Sequence, residues 1–299
     1  MHARILRYVD EVARSGSIRA AGSKLNVAPS AISRQIKAIE DEIGTPLFYR
    51  GTREMTPTAA GELLLNHIRE TFRDMTRTRS MIEDLKGLRR GVVSLGIMSG
   101  LAANLVPRCI ARFQEINPRV TLRARLLTTG DDILEAVVDG TVDLGVGFDF
   151  PARAGVRTHG VALARLGAVM NAQHPLASRS SLRLSDCFAY PLILADDSTV
   201  IRPYLDHQMQ RLGQVPLASV ETNSIEVMRT VAAMSEGITF LTRFDIEKEV
   251  EAGNVVYIPV QELSDRAQRL MIVGSERFGT AMPSVFAETL KAGIANGWG

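Results

Sequence analysis

Residues 26 to 48, NVAPSAISRQIKAIEDEIGTPLF, constrain this chain more than any other stretch. On a helical wheel the isoleucines at 32, 36, 39 and 43 share one side, while Ser30, Ser33, Arg34, Lys37 and Asp41 lie roughly 90 to 190° away. The apolar side must rest on other elements. The polar side opens with short hydroxyls and an arginine, not with the mixed Glu and Lys of an ordinary solvated helix.

The flanking sequence supplies the support. Residues 5 to 14 read as a short amphipathic helix with Ile5, Leu6, Val9, Val12 and Ala13 inward, ended by Ser15-Gly16-Ser17. Ser17 suits the N-cap of a second helix, IRAAGSKL, in which Ala20 and Ala21 allow close helix approach. NVAP then turns the chain, and Pro29 fits the first turn of the third helix, where a missing N–H needs no partner. Two helices joined by a short turn, the second with a cationic, hydroxyl-rich face, form a helix-turn-helix. PLFYRGTREMTP follows as a strand, a Gly51-Thr52 turn and a return strand, a wing.

From Thr58, an expected N-cap, a helical pattern runs through Leu88 with Leu65, Ile68, Phe72, Met75 and Ile82 near heptad spacing. Arg79 and Lys86 fall on the same seam, so the heptad fails in its second half. A rod of about 30 residues spans about 45 Å and has no core of its own. It reads as a dimerisation element, with an amphipathic helix folded onto its own domain as the alternative. Beyond GLRRG the pattern alternates strand and helix: VVSLGIM, a helix from about Leu101 to Ile116, RVTLRARLL, a helix from Asp131 to Asp139, and DLGVGF. A second such set covers about 164 to 265, and QRLMIVG and a helix from Pro283 to about Ile294 close the chain. That order predicts mostly parallel sheets covered by helices.

Charge divides the chain in the same way. Residues 1 to 90 hold 16 Lys and Arg against 11 Asp and Glu, whereas the other 209 hold 19 against 22. The basic end is the candidate for a polyanion. Cys109 and Cys187 are too few and too far apart in sequence for a disulfide framework or a zinc site, and read as buried thiols rather than a peroxide-sensing pair. The five histidines show no metal-ligand spacing, so neither metal nor cofactor is expected. GIMSG at 96 to 100 places its serine one position away from a G-x-S-x-G nucleophile elbow, and no phosphate-binding glycine motif is present, which argues against an enzyme. No apolar run reaches the length of a membrane span and the charged N-terminus is unlike a signal peptide, so a cytoplasmic protein is expected.

Together these residues resemble the LysR-type transcriptional regulators. The resemblance rests on SGSIRAAGSKL, SAISRQIKAIEDEIGTPLF, Arg50, Arg53 and TAAG at 58 to 61. It continues in VDLGVG at 142 to 147, HPLA at 174 to 177, VAAMSEGITFL at 231 to 241 and GNVVYIPV at 253 to 260. It implies an N-terminal all-α winged helix-turn-helix (1–57), a linker helix for dimerisation (58–90) and a C-terminal α/β effector domain (91–299). The last would consist of two Rossmann-like subdomains similar to periplasmic binding proteins, with subdomain I at 91–163 and 267–299 and subdomain II at 164–266. It further implies a homotetramer built from two dimers, binding to half-sites of double-stranded promoter DNA, response to a small effector, and RNA polymerase as a further partner. The chain departs from the family where Pro29-Ser30 replaces a frequent Gln-Pro, where Ser235 replaces a glycine, and where Thr242 replaces a proline.

Two sites follow. Ser33 and Arg34 suit groove contact, the arginine pairing bidentately with guanine, with Ser30 and Lys37 as flanking contacts. Arg50 and Arg53 flank the wing turn; by resemblance Arg53 reaches the minor groove, while Arg50 is equally suited to an ion pair. In the effector domain, strand-to-helix turns carry Ser99 and Gly100, Thr128 and Thr129, and Asn223, and DDSTVIR supplies Ser198, Thr199 and Arg202. Such donors near helix N-termini suit a small carboxylate, with Arg202 as its partner, although each hydroxyl is also an ordinary cap. Asp131, Asp132, Asp196 and Asp197 leave a cationic or polyhydroxyl ligand as the alternative.

Overall fold

The structure, a computed structural model, describes residues 2–50, 55–85, 91–213, 217–276 and 281–295. It divides into two units, residues 1–79 and 80–299. In the first, helices α1 (His2–Ser15), α2 (Ile18–Leu25) and α3 (Pro29–Ile43) precede strands β1 (Phe48–Arg50) and β2 (Met55–Pro57) and a long helix α4 (Ala59–Leu85). Ser17 caps α2, accepting the Ala20 N–H at 3.4 Å, and Thr58 caps α4, accepting the Gly61 N–H at 3.0 Å. Gly44 ends α3 in the left-handed region at φ 78°, where a side chain would be strained. Strands β1 and β2 pair antiparallel as the stem of the expected wing; its tip, with Gly51, Thr52 and Arg53, lies outside the described residues.

A single core holds this unit together. Val9 and Val12 of α1, Ala21 of α2, Ile32 and Ile36 of α3, and Leu65 and Ile68 of α4 are buried in it. Ile43, expected on the inward face, is 47% exposed at the end of α3. The seam of α4 divides: Leu65, Ile68 and Phe72 pack into this core and Arg69 pairs with Asp10, whereas Met75 and Ile82 remain exposed.

The second unit contains two five-stranded sheets. The first comprises β3 (Gly91–Ile97), β4 (Val120–Leu126), β5 (Leu144–Phe148), β6 (Val156–Ala164) and, much later, β12 (Gln268–Ser275), in the order β4-β3-β5-β12-β6. Helices α5 (Leu105–Ile116) and α6 (Gly130–Val138) connect its early strands, and α11 (Ala281–Ala295) packs against α5 and β6. The second sheet comprises β7 (Gly167–Asn171), β8 (Leu192–Ala195), β9 (Ala218–Thr222), β10 (Ile238–Leu241) and β11 (Val255–Pro259), in the order β11-β7-β10-β8-β9. Its helices are α7 (Leu184–Cys187), α8 (Arg202–Arg211), α9 (Ile225–Met234) and α10 (Arg243–Glu251).

Three neighbouring strands in each sheet are parallel, as the alternation predicts, but one interior strand in each is reversed. β12 pairs antiparallel with β5 and β6, and β7 pairs antiparallel with β10 and β11. The reversed strands are the first ones the chain forms after passing between sheets, from β6 to β7 and from β11 to β12. A strand that enters from the other sheet has no crossover helix to return it in the parallel sense.

Candidate DNA interface and effector cavity

The outward row on α3 is built from beneath. Ile32 and Ile36 are buried, which turns Ser30, Ser33, Arg34 and Lys37 to the surface, where all four are exposed. Neither Arg34 nor Lys37 makes an ion pair among the described residues. Ala28, at the N-cap, gives no side-chain bond; Pro29 has no N–H, and the Ala31 and Ile32 N–H groups donate to the Ala28 carbonyl at 2.9 and 3.3 Å, so in this turn the Ser30 N–H is left as the main-chain donor. The Glu40 carboxylate, on the inner side, accepts the Leu47 N–H at 2.9 Å and fixes the exit towards the wing. Arg50 lies in β1, but its side chain, like all of Arg53, is outside the described residues.

In the second unit a cavity of about 590 Å³ lies between the two sheets. It is within the range that holds a small organic ligand. Seven of the eight expected effector residues line it: Ser99, Gly100, Thr128, Thr129, Ser198, Thr199 and Asn223. The structure sorts them by what else they do. Thr129 forms a capping box with Asp132, donating its N–H at 3.1 Å and accepting the Asp132 N–H at 3.1 Å. Ser198 donates to Asp196 Oδ1, and Thr199 donates to the Asp196 carbonyl and accepts the Arg202 N–H. Ser99, Thr128 and Asn223 make no side-chain hydrogen bond among the described residues, so their hydrogen-bonding groups are available to a ligand.

Arg202 does not join them. Its guanidinium is held by Asp206 at 2.8 Å, by Glu221 and by the Ala195 carbonyl at 3.0 Å, and it does not line the cavity. The carboxylate four residues along its own helix, together with the neighbouring strand, satisfies the charge that the sequence offered to a ligand. The expected pairing of Arg202 with an effector is therefore corrected. Among the described residues that line the cavity, none is lysine, arginine or histidine.

The sequence reading missed Asp245, Asp149 and Gln268, all of which line the cavity. Asp245, at the start of α10, is buried. Its Oδ2 accepts the Thr242 N–H at 2.9 Å and the Thr242 hydroxyl at 2.7 Å. A Cβ on Gly100 would overlap Asp245 Oδ1, so only glycine fits where the chain crosses this carboxylate. Burial raises the Asp245 carboxyl above its ordinary range, although the Thr242 bonds and the nearby Arg229 oppose the shift. Asp149, at φ 53°, accepts the Tyr204 hydroxyl at 2.9 Å and the Arg269 N–H at 2.9 Å. The legible signal was Thr242-x-x-Asp245, a capping box at the start of a helix.

The cysteines occupy different cores, Cys109 beneath the first sheet and Cys187 beneath the second. Burial pushes their thiols up to about 11 and about 12, the reverse of what a reactive thiolate requires. No helix among the described residues is long and apolar enough to cross a membrane.

Known proteins share both units. Residues 3–62 match the bacterial regulatory helix-turn-helix protein, lysR family, and residues 86–295 match the LysR substrate binding domain. A "Probable RuBisCO transcriptional regulator" of Synechocystis sp. is 29% identical over 288 residues, covering 94% of this chain and 83% of that protein. A "Probable nitrogen assimilation transcriptional activator" of Synechococcus elongatus is 29% identical over 223 residues, covering 74% and 72%. The solved structure of full-length CbnR complexed with its target DNA shares the fold with a TM-score of 0.71 at 18% identity, covering 98% of this chain and all of that one. With the exposed helix-turn-helix row, the two-sheet cavity unit and both family matches in the same order along it, this chain belongs to the LysR family of DNA-binding transcriptional regulators.

Proposed function

We propose that this regulator reads promoter half-sites with the outer row of α3 and is switched by a small carboxylate bound between its two sheets. The observation that carries the first half is the row of Ser30, Ser33, Arg34 and Lys37, exposed and unpaired on a helix anchored by buried isoleucines. Short hydroxyls and the Ser30 N–H suit phosphates, Arg34 suits guanine O6 and N7, and Lys37 suits the backbone. Arg53 at the wing tip enters the minor groove, and Arg50 braces the wing or adds a phosphate contact.

Ser99, Thr128 and Asn223 support the second half, because they bring uncommitted donors to one cavity beside the N-termini of α6 and α9. Exposed Met75 and Ile82 on α4 support self-association through that helix, as a dimer and then a homotetramer. The regulator acts in the cytoplasm on double-stranded DNA, and promoter occupancy places RNA polymerase within reach as a further partner.

Gel shifts with upstream DNA at several salt concentrations test the DNA half. Arg34→Ala is expected to cost about 1–3 kcal/mol on the preferred half-site and to flatten discrimination at one base pair. Lys37→Ala is expected to weaken all sequences alike and to lower the salt slope by about 1. An Arg34→Ala protein that retains the parent's ranking of half-sites removes base readout from this residue.

A further inference from the structure

The cavity offers donors on one set of residues and something different on another. Asp245 is 3% exposed and Gln268 is 1% exposed, and both line the cavity. Asp245 Oδ1 accepts no hydrogen bond among the described residues, since both Thr242 bonds end on Oδ2. Gln268 Oε1 is buried without a partner. Its amide cannot simply turn over, because Nε2 donates to the Val200 carbonyl at 3.4 Å and the flipped amide would set oxygen against oxygen. An unpaired buried acceptor is costly, and Gln268 Oε1 is one on a residue that lines this cavity, beside the uncommitted Asp245 Oδ1.

Taking the cavity as the effector site proposed above, we infer that the effector carries a hydrogen-bond donor in addition to its carboxylate. That donor, an ammonium or a hydroxyl, ends on Asp245 Oδ1, with Gln268 Oε1 as a second acceptor. The effector class is a small amino or hydroxy carboxylic acid. Its carboxylate takes the free groups of Ser99, Thr128 and Asn223, and its donor satisfies the acidic wall. Charge bears on the choice of the second group: with Asp131, Asp149 and Asp245 lining the cavity and no cationic side chain among the described lining residues, a hydrogen-bond donor is favoured there over a second carboxylate.

Asp245→Asn is the direct test. The asparagine keeps one oxygen for the Thr242 donors and turns an NH2 towards the cavity, exchanging an acceptor for donors at nearly constant shape. Titration calorimetry on the full-length chain would use matched sets: succinate, malate and aspartate; propionate, lactate and alanine; glutarate, 2-hydroxyglutarate and glutamate. At least one amino or hydroxy acid is expected to bind the parent about tenfold or more tighter than its unsubstituted counterpart. Asp245→Asn should reduce that ratio about tenfold, and Gln268→Met should reduce it as well, which covers the case in which the asparagine variant fails to fold.

An unchanged ratio in both variants overturns the assignment. Equal or tighter binding of the unsubstituted acids, weakened by Ser99→Ala, overturns the donor while leaving the cavity as the effector site. Binding that Ser99→Ala and Asn223→Ala leave untouched places the ligand elsewhere and removes the underlying reading too. No binding by any member up to about 10 mM overturns the ligand class.

Discussion

Asp245 sits where the surroundings oppose its charge. Its ordinary value is 3.8, and burial raises it further than the Thr242 bonds and Arg229 lower it. A carboxyl raised in the folded state binds its proton more readily there than in the unfolded chain. Its contribution to stability is therefore fully present below the unfolded value and is lost as pH rises through the folded one. Asp245→Asn removes that loss, so the variant should melt above the parent once pH has risen through the folded value, with the difference shrinking as pH falls towards the ordinary carboxyl value of 3.8. Thermal melts across that range decide it; a difference independent of pH assigns the effect to something other than ionisation. Ser99, Thr128 and Asn223 were legible in the sequence because strand-to-helix turns of parallel sheets collect at one edge. Asp245 and Gln268 were not, since one begins a late helix and the other opens an apolar strand, and only the folding of the chain brings both to the cavity. Arg202 misled although its i+4 partner Asp206 stands in the local sequence; Glu221, on a neighbouring strand, is the holder that the local sequence does not show.

At the scale of elements, the caps separate scaffold from site. Thr129 and Thr128 are adjacent and both line the cavity, but only Thr129 is tied into the N-terminus of α6. Thr129→Ala should cost about 1 kcal/mol of stability, the usual worth of an N-cap. Thr128→Ala should leave stability within about 0.5 kcal/mol of the parent and change effector affinity instead. Parallel melts and ligand titrations of the two variants check this, and a stability loss confined to Thr128→Ala would contradict the division. The alternation of strand and helix gave the α/β class of the second unit, because period and turn residues are local properties. The reversal of β7 and β12 was hidden for the converse reason: strand direction depends on which sheet the chain arrives from, and no local pattern records that.

For the whole molecule, the proposed self-association through α4 would set how many DNA-reading heads act together. Its first half belongs to the core of the winged unit through Leu65 and Ile68, and the Arg69–Asp10 pair fixes its direction. Its second half leaves Met75 55% and Ile82 46% exposed, apolar surface that the proposed contact with a second α4 would cover. The alternative of a helix folded entirely onto its own domain accounts for Leu65 and Ile68 but leaves Met75 and Ile82 unexplained. Met75→Glu with Ile82→Glu would place two charges in such a contact, at a cost of several kcal/mol of association free energy. Sedimentation should then show smaller species, while the first unit, whose core neither residue enters, stays folded. The consequence for DNA follows from linkage. In the proposed dimer, two heads joined through α4 would bind their second half-site at the effective concentration set by the first, so separating them should lower affinity for a paired site by about 100-fold or more. Affinity for a single half-site should hardly move, and the salt slope on the paired site should fall to about half, because half as many phosphates are neutralised per binding event. Equal losses on single and paired sites would mean that the variant had damaged the reading head rather than the link between heads.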